Sequence, residues 1–375
     1  MNRWSWLRWG GRLLGRLLDC VSWTPKRLSA EPKEPWSEER LRRVVDASPR
    51  ANGYLSLEPG LRLFGSDEGV ISWAGWRQTA FAVGGLHGPD AANSYQVFRR
   101  QAQEAGYRRV LAFPVADRER SALAEVGFRS LMVGSEAFVD PVEFSLKGGR
   151  RADLRQMVNR GRHRHGLVVE ETGAQGLESG MQEIYERWLS SRSVDYRMRL
   201  LIGSPGFNAP EGRRYFQVRD QTGVCRAFVS VTPGWSGQGY GLDVMARPPD
   251  APSGAMETLI DGVINQLAAE GVRRFSLGAC PMADRVPVPA DDHRLYRAIF
   301  RWLHASKLGN QLFAFRSLTH FKAKFDPRWE PVFLAAWPRV GFRALYTGCR
   351  MWGLFGAPPQ ASEGTGGLSR PGATR

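Results

Sequence analysis

One local pattern occurs twice in this chain, and it limits the possible folds more than any other feature. The segments EAGYRRVLAFPV (104–115) and AEGVRRFSLGAC (269–280) each end a helix, turn at a glycine and continue as an apolar strand. Helices and strands alternate before and after both copies. This alternation predicts an α/β fold built from two similar halves, with a single α/β domain carrying long insertions as the alternative.

The spacing of apolar residues, glycines and prolines predicts the individual elements. In the first half we expect helix 38–46, strands 53–57, 61–65, 69–74 and 79–83, helix 90–105, strand 108–113, helix 117–126 and strand 128–139. In the second half we expect helix 148–165, strand 167–171, helix 176–192, strands 213–219, 224–232 and 238–245, helix 254–270, strand 272–278, helix 291–304 and strand 331–337.

The composition indicates a folded, basic protein. Of the 375 residues, 42% are apolar, which is enough for a sizeable core. A net charge of +15 favours a polyanionic partner such as nucleic acid or an anionic membrane face, the alternative being a solvated, arginine-rich surface. Four widely spaced cysteines and scattered histidines predict neither a disulfide nor a metal site, and we expect no cofactor. The sequence has no apolar run long enough to cross a bilayer.

The two ends of the chain differ in composition from its middle. In residues 1–23, tryptophans accompany Arg8, Arg12 and Arg16, which fall on one helical face. This pattern is typical of a helix lying in a membrane surface, although a helix docked on the protein's own core also fits. We further expect a linker at 24–37, a second amphipathic anchor or a packing helix at 339–356, and a disordered tail at 357–375.

A basic helix is the first segment with candidate site residues. It carries Arg155 and Arg162, with Asn159 between them. Several guanidinium groups on one short helix suit the phosphates of RNA or of lipid. The alternative is an ordinary solvated charged face.

An acidic residue within an apolar strand marks the second segment. Asp243 would be costly to bury without a partner, so it either pairs with an arginine such as Arg247 or Arg273 or faces a pocket and binds an ammonium group. Ser253 follows at the start of the next helix, where it is a candidate N-cap. The free N–H groups of a helix start can bind an anion.

The third segment interleaves aromatic and basic residues. Lys322 and Lys324 alternate with a series of rings, and Glu330 follows. Such a series can stack on bases or line a substrate channel, and the alternative is a core hairpin with outward lysines. Motifs for covalent catalysis, for a P-loop and for dinucleotide binding are missing, so the sequence favours a transferase that works by positioning its substrates.

Taken in order, these segments resemble the C-terminal catalytic domain of phosphatidylglycerol lysyltransferases, the multiple peptide resistance factors. The matching phrases are AFVDPVEFSLKGGRRADLRQMVNRGRHRHGLVV, LDVMARPPDAPSGAME, RRFSLGACPMA and SLTHFKAKFDPRWEPVFLA. The resemblance implies a tandem pair of GNAT-like domains, at 38–145 and 146–338. It also implies transfer of an amino acid from aminoacyl-tRNA to a hydroxyl of phosphatidylglycerol, on the cytoplasmic face of the membrane.

The resemblance also suggests roles for particular residues. Asp243 matches the residue expected to contact the ammonium group of the amino acid, and Lys322 and Glu330 match other catalytic positions. The remaining matches, or neighbours of matches, are candidate substrate-binding residues. They are Arg155, Asn159, Arg162, Arg247, Ser253 and Lys324.

Two positions depart from the family pattern. Ala246 stands where an arginine is usual, and Asn310 falls near a usual glutamate. The multi-span half of the full-length enzymes does not occur in this sequence, so membrane access is expected to rest on the Trp/Arg segments at the ends. Two other functions stay open: a CoA-dependent N-acyltransferase, and a non-catalytic membrane-binding or RNA-binding homologue.

Overall fold

The computed structural model describes most of the chain between residues 37 and 353. The described residues are 28, 37–46, 48, 50–66, 69–88, 90–173, 180–191, 199–207, 212–307 and 315–353. The predicted N-terminal membrane helix, the predicted disordered tail and Asn310 lie outside them.

The strands form one mixed sheet of eleven strands, in the order β1-β2-β3-β4-β11-β5-β10-β9-β8-β7-β6. The predicted α/β fold is therefore confirmed. The strands are β1 Arg62–Ser66, β2 Gly69–Trp76, β3 Thr79–His87, β4 Arg109–Ala116, β5 Arg129–Val139, β6 Val168–Thr172, β7 Arg214–Arg219, β8 Cys225–Gly234, β9 Gly239–Ala246, β10 Arg274–Pro281 and β11 Arg328–Trp337.

Helices cover the two faces of this sheet. The α-helices are α1 Glu38–Asp46, α2 Ala91–Glu104, α3 Asp117–Glu125, α4 Ala152–Asn159, α5 Gly180–Ser190, α6 Arg199–Ile202, α7 Ala255–Ala269, α8 Arg294–Ala305, α9 Phe315–Ala323 and α10 Phe342–Met351. A 3₁₀ helix spans Ala51–Leu57, and a π-helical turn, Arg160–Arg164, continues α4.

The last strand of the sheet lies far from its neighbours in sequence. β11 is antiparallel both to β4 and to β5, so it fills the space between two strands of the first half. Because β10 also pairs with β5, the two halves share one uninterrupted sheet. The division into domains at residues 145 and 146 therefore stays a prediction.

Separate apolar clusters pack against this sheet. The buried face of α7, with Leu259 and Val263, packs in the second half, while Trp73 and Phe98 pack in the first. Trp352, just after α10, is buried against Phe113, with 4.7 Å between the ring centroids. Helix α10 thus packs on the sheet, as one of the two alternatives for 339–356 predicted. No helix among the described residues is long and apolar enough to cross a membrane.

One predicted strand is wrong. Residues 53–57 belong to the 3₁₀ helix Ala51–Leu57, in which Tyr54, Leu55 and Ser56 are all buried. The alternative of a core hairpin for the aromatic and basic segment is also wrong, because residues 315–323 form the helix α9. Its buried side carries Phe315, Thr319 and Lys322, which are spaced by four and three residues, the interval of one side of a helix.

Candidate active site between two diverging strands

The strands β9 and β10 open a cleft at the centre of the sheet. They run parallel and pair only at Gly239–Gly241 of β9 and Arg274–Ser276 of β10. Beyond these three pairs both strands continue without pairing to each other, and β10 has an irregular register with β5 at Ser276. We call the space between 242–246 and 277–281 the cleft.

Asp243 lies on the β9 wall of the cleft, and its carboxylate is paired. Arg213 Nε donates to Asp243 Oδ2 at 3.4 Å, and Ser230 Oγ donates to the same oxygen at 3.2 Å. Burial raises the pKa of Asp243, against the opposing effects of Arg213 and Ser230. The partner is therefore Arg213, and the expected pairing with Arg247 or Arg273 is wrong.

The loop after α6 covers this carboxylate. Gly203 has φ +84°, and a Cβ at this position would lie 2.6 Å from Asp243 Oδ1. Only a glycine permits so close an approach with that backbone conformation. The Arg213 guanidinium also lies 5.0 Å from the centre of the Tyr54 ring, so an element before β1 helps to hold the pair.

Lys322 lies on the β10 wall. Its side chain enters the protein from α9, and Nζ donates to the Ala279 carbonyl oxygen at 3.1 Å. Lys322 is 4% exposed, and burial lowers its pKa, against the opposing effects of Cys280 and Glu136. A buried amine of this kind is a hydrogen-bond donor that water does not compete for.

Glu136 on β5 is the acidic neighbour of Lys322. Ser276 Oγ donates to Glu136 Oε1, and the Gly278 N–H donates to Ser276 Oγ at 2.9 Å. Burial raises the pKa of Glu136, the Ser276 hydrogen bond and the Lys322 charge lower it, and Glu330 raises it. Burial thus lowers the pKa of Lys322 and raises that of Glu136, while each group's charge opposes the shift of the other.

Gly278 connects the two walls. A Cβ at this position would lie 3.1 Å from Lys322 Nζ and 3.7 Å from the Leu242 carbonyl oxygen. Leu242 precedes Asp243 on β9, so the Lys322 amine and the Asp243 carboxylate flank the same cleft. Two of the residues that the sequence analysis predicted for the site, Asp243 and Lys322, therefore lie one on each wall.

Glu330 lies at the margin of this group rather than in the cleft. It is opposite Glu136 in the β5–β11 register and pairs with Arg274 at 3.1 Å and with Arg328 at 2.7 Å. Both arginines line a cavity of about 500 Å³ at the amino ends of β10 and β11. The Arg274 guanidinium lies 4.6 Å from the centre of the Trp235 ring. Glu330 therefore organises an arginine-lined wall.

Most of the predicted substrate-binding residues contact the protein itself. Arg155 Nη1 donates to the carbonyl oxygen of Leu146 at 2.8 Å, and Arg162 pairs with Asp261 at 2.6 Å. Lys324 pairs with Glu257 of α7 at 2.8 Å. The side chains of Asn159 and Arg247 are exposed.

Ser253 is not the N-cap of α7. That position belongs to Gly254, with φ +91°, and no side chain caps the helix. Ser253 Oγ instead lies 3.4 Å from Arg160 Nη1. The reason is a close approach between α7 and the end of α4, where the Met157 carbonyl leaves no room for a side chain at 254.

Sequence reasoning missed Glu136, Ser276 and Arg213. Glu136 had the same signal as Asp243, a single acidic residue within an apolar strand, and that signal could have identified it. Ser276 lies in the repeated segment 269–280, and nothing in that pattern marked a serine as a site residue. Arg213 is 30 residues from Asp243, and nothing local connects the two.

The family model described as phosphatidylglycerol lysyltransferase, C-terminal, matches residues 42–336. The chain belongs to this family. The predicted resemblance is thereby confirmed, and the match to the phosphatidylglycerol lysyltransferase C-terminal family includes every residue of the two cleft walls. At the position of the unusual Ala246, the side chain is fully buried in an apolar cluster with Phe228, which does not suit an arginine.

Individual relatives agree with this assignment. The phosphatidylglycerol lysyltransferase of Bacillus subtilis (strain 168) is 24% identical over 242 residues, which are 64% of this chain and 27% of that protein. The chain thus spans about a quarter of that relative's length. In the solved structure of L-PGS from Bacillus licheniformis, the similarity covers 86% of this chain and 97% of that one, with a TM-score of 0.69 at 21% identity.

A second solved structure has a similar fold. It is the C-terminal domain (DUF2156) of an Agrobacterium fabrum protein, with a TM-score of 0.68 at 26% identity. The similarity covers 82% of this chain and 93% of that one. The eleven-stranded arrangement therefore resembles the fold of solved members of this group over most of their length.

Proposed function

We propose that this chain transfers an amino acid from an aminoacyl-tRNA to a hydroxyl group of phosphatidylglycerol or a related membrane lipid. The observation that carries the proposal is the family match across residues 42–336, which includes Asp243, Lys322 and Glu330. A cytoplasmic RNA and a membrane lipid meet at the inner face of the cell membrane, so we propose that the protein works there as a peripheral enzyme.

The reaction is an ester exchange with balanced bonds. The lipid hydroxyl oxygen attacks the aminoacyl carbonyl carbon, forming a new C–O bond while the C–O bond to the tRNA ribose breaks. One proton leaves the lipid hydroxyl, and one reaches the ribose oxygen. The protein must therefore move a proton and stabilise the oxyanion that develops on the carbonyl oxygen.

The β10 wall supplies groups for both tasks. The buried Lys322 amine is the proposed donor to the oxyanion, because a preorganised donor in a dry site stabilises charge that develops there. Glu136 is the proposed proton carrier, since it lies beside Ser276 on the β10 wall and burial raises its pKa, which makes its carboxylate a stronger base. Neither role requires a covalent enzyme intermediate.

The β9 wall is the proposed site for the amino acid. Arg213 and Ser230 both bond to Asp243 Oδ2, and we assign the ammonium group of the amino acid to Oδ1, which it would reach only when the Gly203 loop moves off this carboxylate. Phosphate contacts are proposed for the exposed Asn159 and Arg247. Arg155, Arg162, Ser253 and Lys324 would act indirectly, because they hold the basic helix and α7 in place.

We also propose the tandem GNAT-like division at 38–145 and 146–338. It is supported by the repeated helix–glycine–strand unit, which forms α2–β4 in one half and α7–β10 in the other. The amino end of α7, where an acyl-CoA pyrophosphate would be expected, is in contact with the end of α4. This contact favours the tRNA-dependent reaction over a CoA-dependent one.

The test is transfer by the purified chain. Each radiolabelled aminoacyl-tRNA is mixed with detergent-dispersed phosphatidylglycerol, and the lipid fraction is analysed by mass spectrometry. We expect one or a few amino acids to appear on the lipid. The absence of any aminoacyl-lipid across all amino acids and across other hydroxylated lipids would refute the proposal, and tight acetyl-CoA binding would favour the acyltransferase.

A matched pair of variants connects the reaction to the cleft. Asp250→Asn is the control for Asp243→Asn, because Asp250 forms an exposed ion pair with Arg187. Lys147→Met is the control for Lys322→Met, because Lys147 is exposed. Transfer should depend on the cleft residues and not on their controls.

A further inference from the structure

Helix α8 exposes three large apolar side chains. Leu295 is 62% exposed, Ile299 41% and Trp302 56%. The intervals of four and three residues bring them onto one side of the helix, and we call these three residues the α8 stripe. They are among the most exposed large apolar side chains of the described structure.

The inward side of α8 carries a buried arginine as well as a buried apolar residue. Arg297 is 4% exposed, pairs with Asp284 and donates to the Met132 carbonyl oxygen at 3.1 Å. Phe300 accompanies it against the core. An ordinary surface helix buries its apolar side and exposes its charges. Because α8 is anchored through a buried arginine, the fold does not explain the stripe.

The segment that carries the stripe is basic in sequence: 293–307 contains four Lys or Arg residues and no Asp or Glu. Of the four, Arg297 is buried, and Arg301 pairs with Asp284 at 2.7 Å. Arg294 and Arg301 are seven residues apart, so they lie on the same flank of the stripe, and both are exposed. Aliphatic side chains with a tryptophan, bordered by arginines, are typical of helices that lie in the headgroup layer of a bilayer.

We propose that the α8 stripe inserts into the headgroup layer of a bilayer rich in anionic phospholipid. The charge of the arginine flank complements such a surface, and a protein partner would need acidic groups around an apolar groove to match it. Helix α8 also contacts α9, where His304 Nε2 lies 3.3 Å from Thr319 Oγ1. Since α9 carries Lys322, insertion of α8 would bring the cleft to the lipid.

The experiment is vesicle co-sedimentation of the full chain. The test variant is Leu295→Ser/Ile299→Ser/Trp302→Ser. The control is Val168→Ser/Val224→Ser, which removes two exposed apolar side chains, 64% and 47% exposed, from the edge strand β6 and from the turn before β8. Vesicles are pure phosphatidylcholine or an equimolar mixture with phosphatidylglycerol. We expect stronger binding to the mixed vesicles, a partition coefficient at least about tenfold lower for the triple variant, and no change for the control.

Two results would overturn the inference. One is equal partition of the wild-type protein and the triple variant. The other is a change in oligomeric state, with unchanged vesicle binding, which would make the stripe an interface between copies of the chain. If the triple variant does not fold, as judged by circular dichroism, Trp302→Ser alone takes its place with the same two criteria.

The inference rests on the proposed function only for the choice of phosphatidylglycerol as the probe. Vesicle binding needs neither tRNA nor turnover, whereas transfer is measured with detergent-dispersed lipid. A protein that binds vesicles through the stripe but never transfers an amino acid contradicts the proposed function alone. A protein that transfers in detergent but binds vesicles independently of the stripe contradicts this inference alone.

Discussion

The two walls of the cleft hold their buried charges in different ways. On the β9 wall, the Asp243 carboxylate receives hydrogen bonds from Ser230 on the neighbouring strand β8 and from Arg213, which directly precedes β7. On the β10 wall, the Lys322 amine donates to a single backbone carbonyl, with Glu136 nearby. Burial raises the pKa of both carboxyl groups, but Asp243 has a cation at hydrogen-bonding distance that compensates its charge. The neighbour of Glu136 is instead a buried amine whose own pKa is lowered.

This difference separates structural from chemical effects of substitution. Changes on the β9 wall should appear first in the free energy of unfolding, and changes on the β10 wall should appear first in the rate of transfer. The following predictions test that separation, from the largest expected effect to the smallest.

Replacing the partner of Asp243 should have the largest effect. Arg213→Met leaves a buried carboxylate without its cation and should lower the free energy of unfolding by about 3–5 kcal/mol. Urea unfolding measures this, with Arg187→Met as the control, because its exposed pair with Asp250 should contribute less than about 1 kcal/mol. The double variant Arg213→Met/Asp243→Asn should recover part of the loss. An unfolding free energy for Arg213→Met equal to that of the control would mean that the β9 wall is not held by this pair.

Replacing the buried lysine should affect transfer most. Lys322→Met removes the proposed oxyanion donor and should lower kcat about 10²–10³-fold, the usual cost of one such donor. Steady-state transfer kinetics measure this beside Lys147→Met. If kcat of Lys322→Met stays within about a factor of three of the wild-type value, Lys322 does not stabilise the transition state of transfer.

The same variant has a signature in the pH dependence of stability. Because burial lowers the pKa of Lys322 below its ordinary 10.5, the unfolded chain holds more protons than the folded chain just below that value. The free energy of unfolding should therefore rise with pH in this range, by at most about 1.4 kcal/mol per pH unit. Lys322→Met should remove that rise, and Lys147→Met should keep it.

Replacing Asp243 should have a smaller effect on transfer than on substrate affinity. Asp243→Asn removes one charged hydrogen bond to the ammonium group and should cost about 1.5–3 kcal/mol in kcat/KM, mainly through KM. Unchanged kinetics, with Asp250→Asn for comparison, would limit Asp243 to the structural pair with Arg213.

Replacing Glu330 should have the smallest effect. Its pairs with Arg274 and Arg328 lie at a partly exposed margin, so Glu330→Gln should change the free energy of unfolding by less than about 1 kcal/mol. It should also lower the pKa of Glu136 slightly, because one neighbouring negative charge is lost. A loss of kcat as large as that of Lys322→Met would mean that the cleft extends to the arginine-lined cavity.

Local patterns predicted most helices and strands, because whether a segment forms a helix or a strand depends mainly on the residues within that segment. The predicted helix 38–46 and the repeated units are present, and the family resemblance identified a residue on each wall. The hairpin alternative for the third segment is wrong at α9, where the buried residues Phe315, Thr319 and Lys322 recur at helical intervals but only one of them is aromatic.

The sequence by itself determined the α/β alternation, the basic character of the chain and its family. The tertiary structure decided the insertion of β11 between β4 and β5 and the pairing of Arg213 with Asp243. It also decided the burial of the Lys322 amine against the Ala279 carbonyl and the exposure of the α8 stripe. Elements form from contacts between near neighbours, which a sequence pattern records. Each of these other features depends on which distant segments the sheet brings together, and on which side of a helix remains uncovered once they have met.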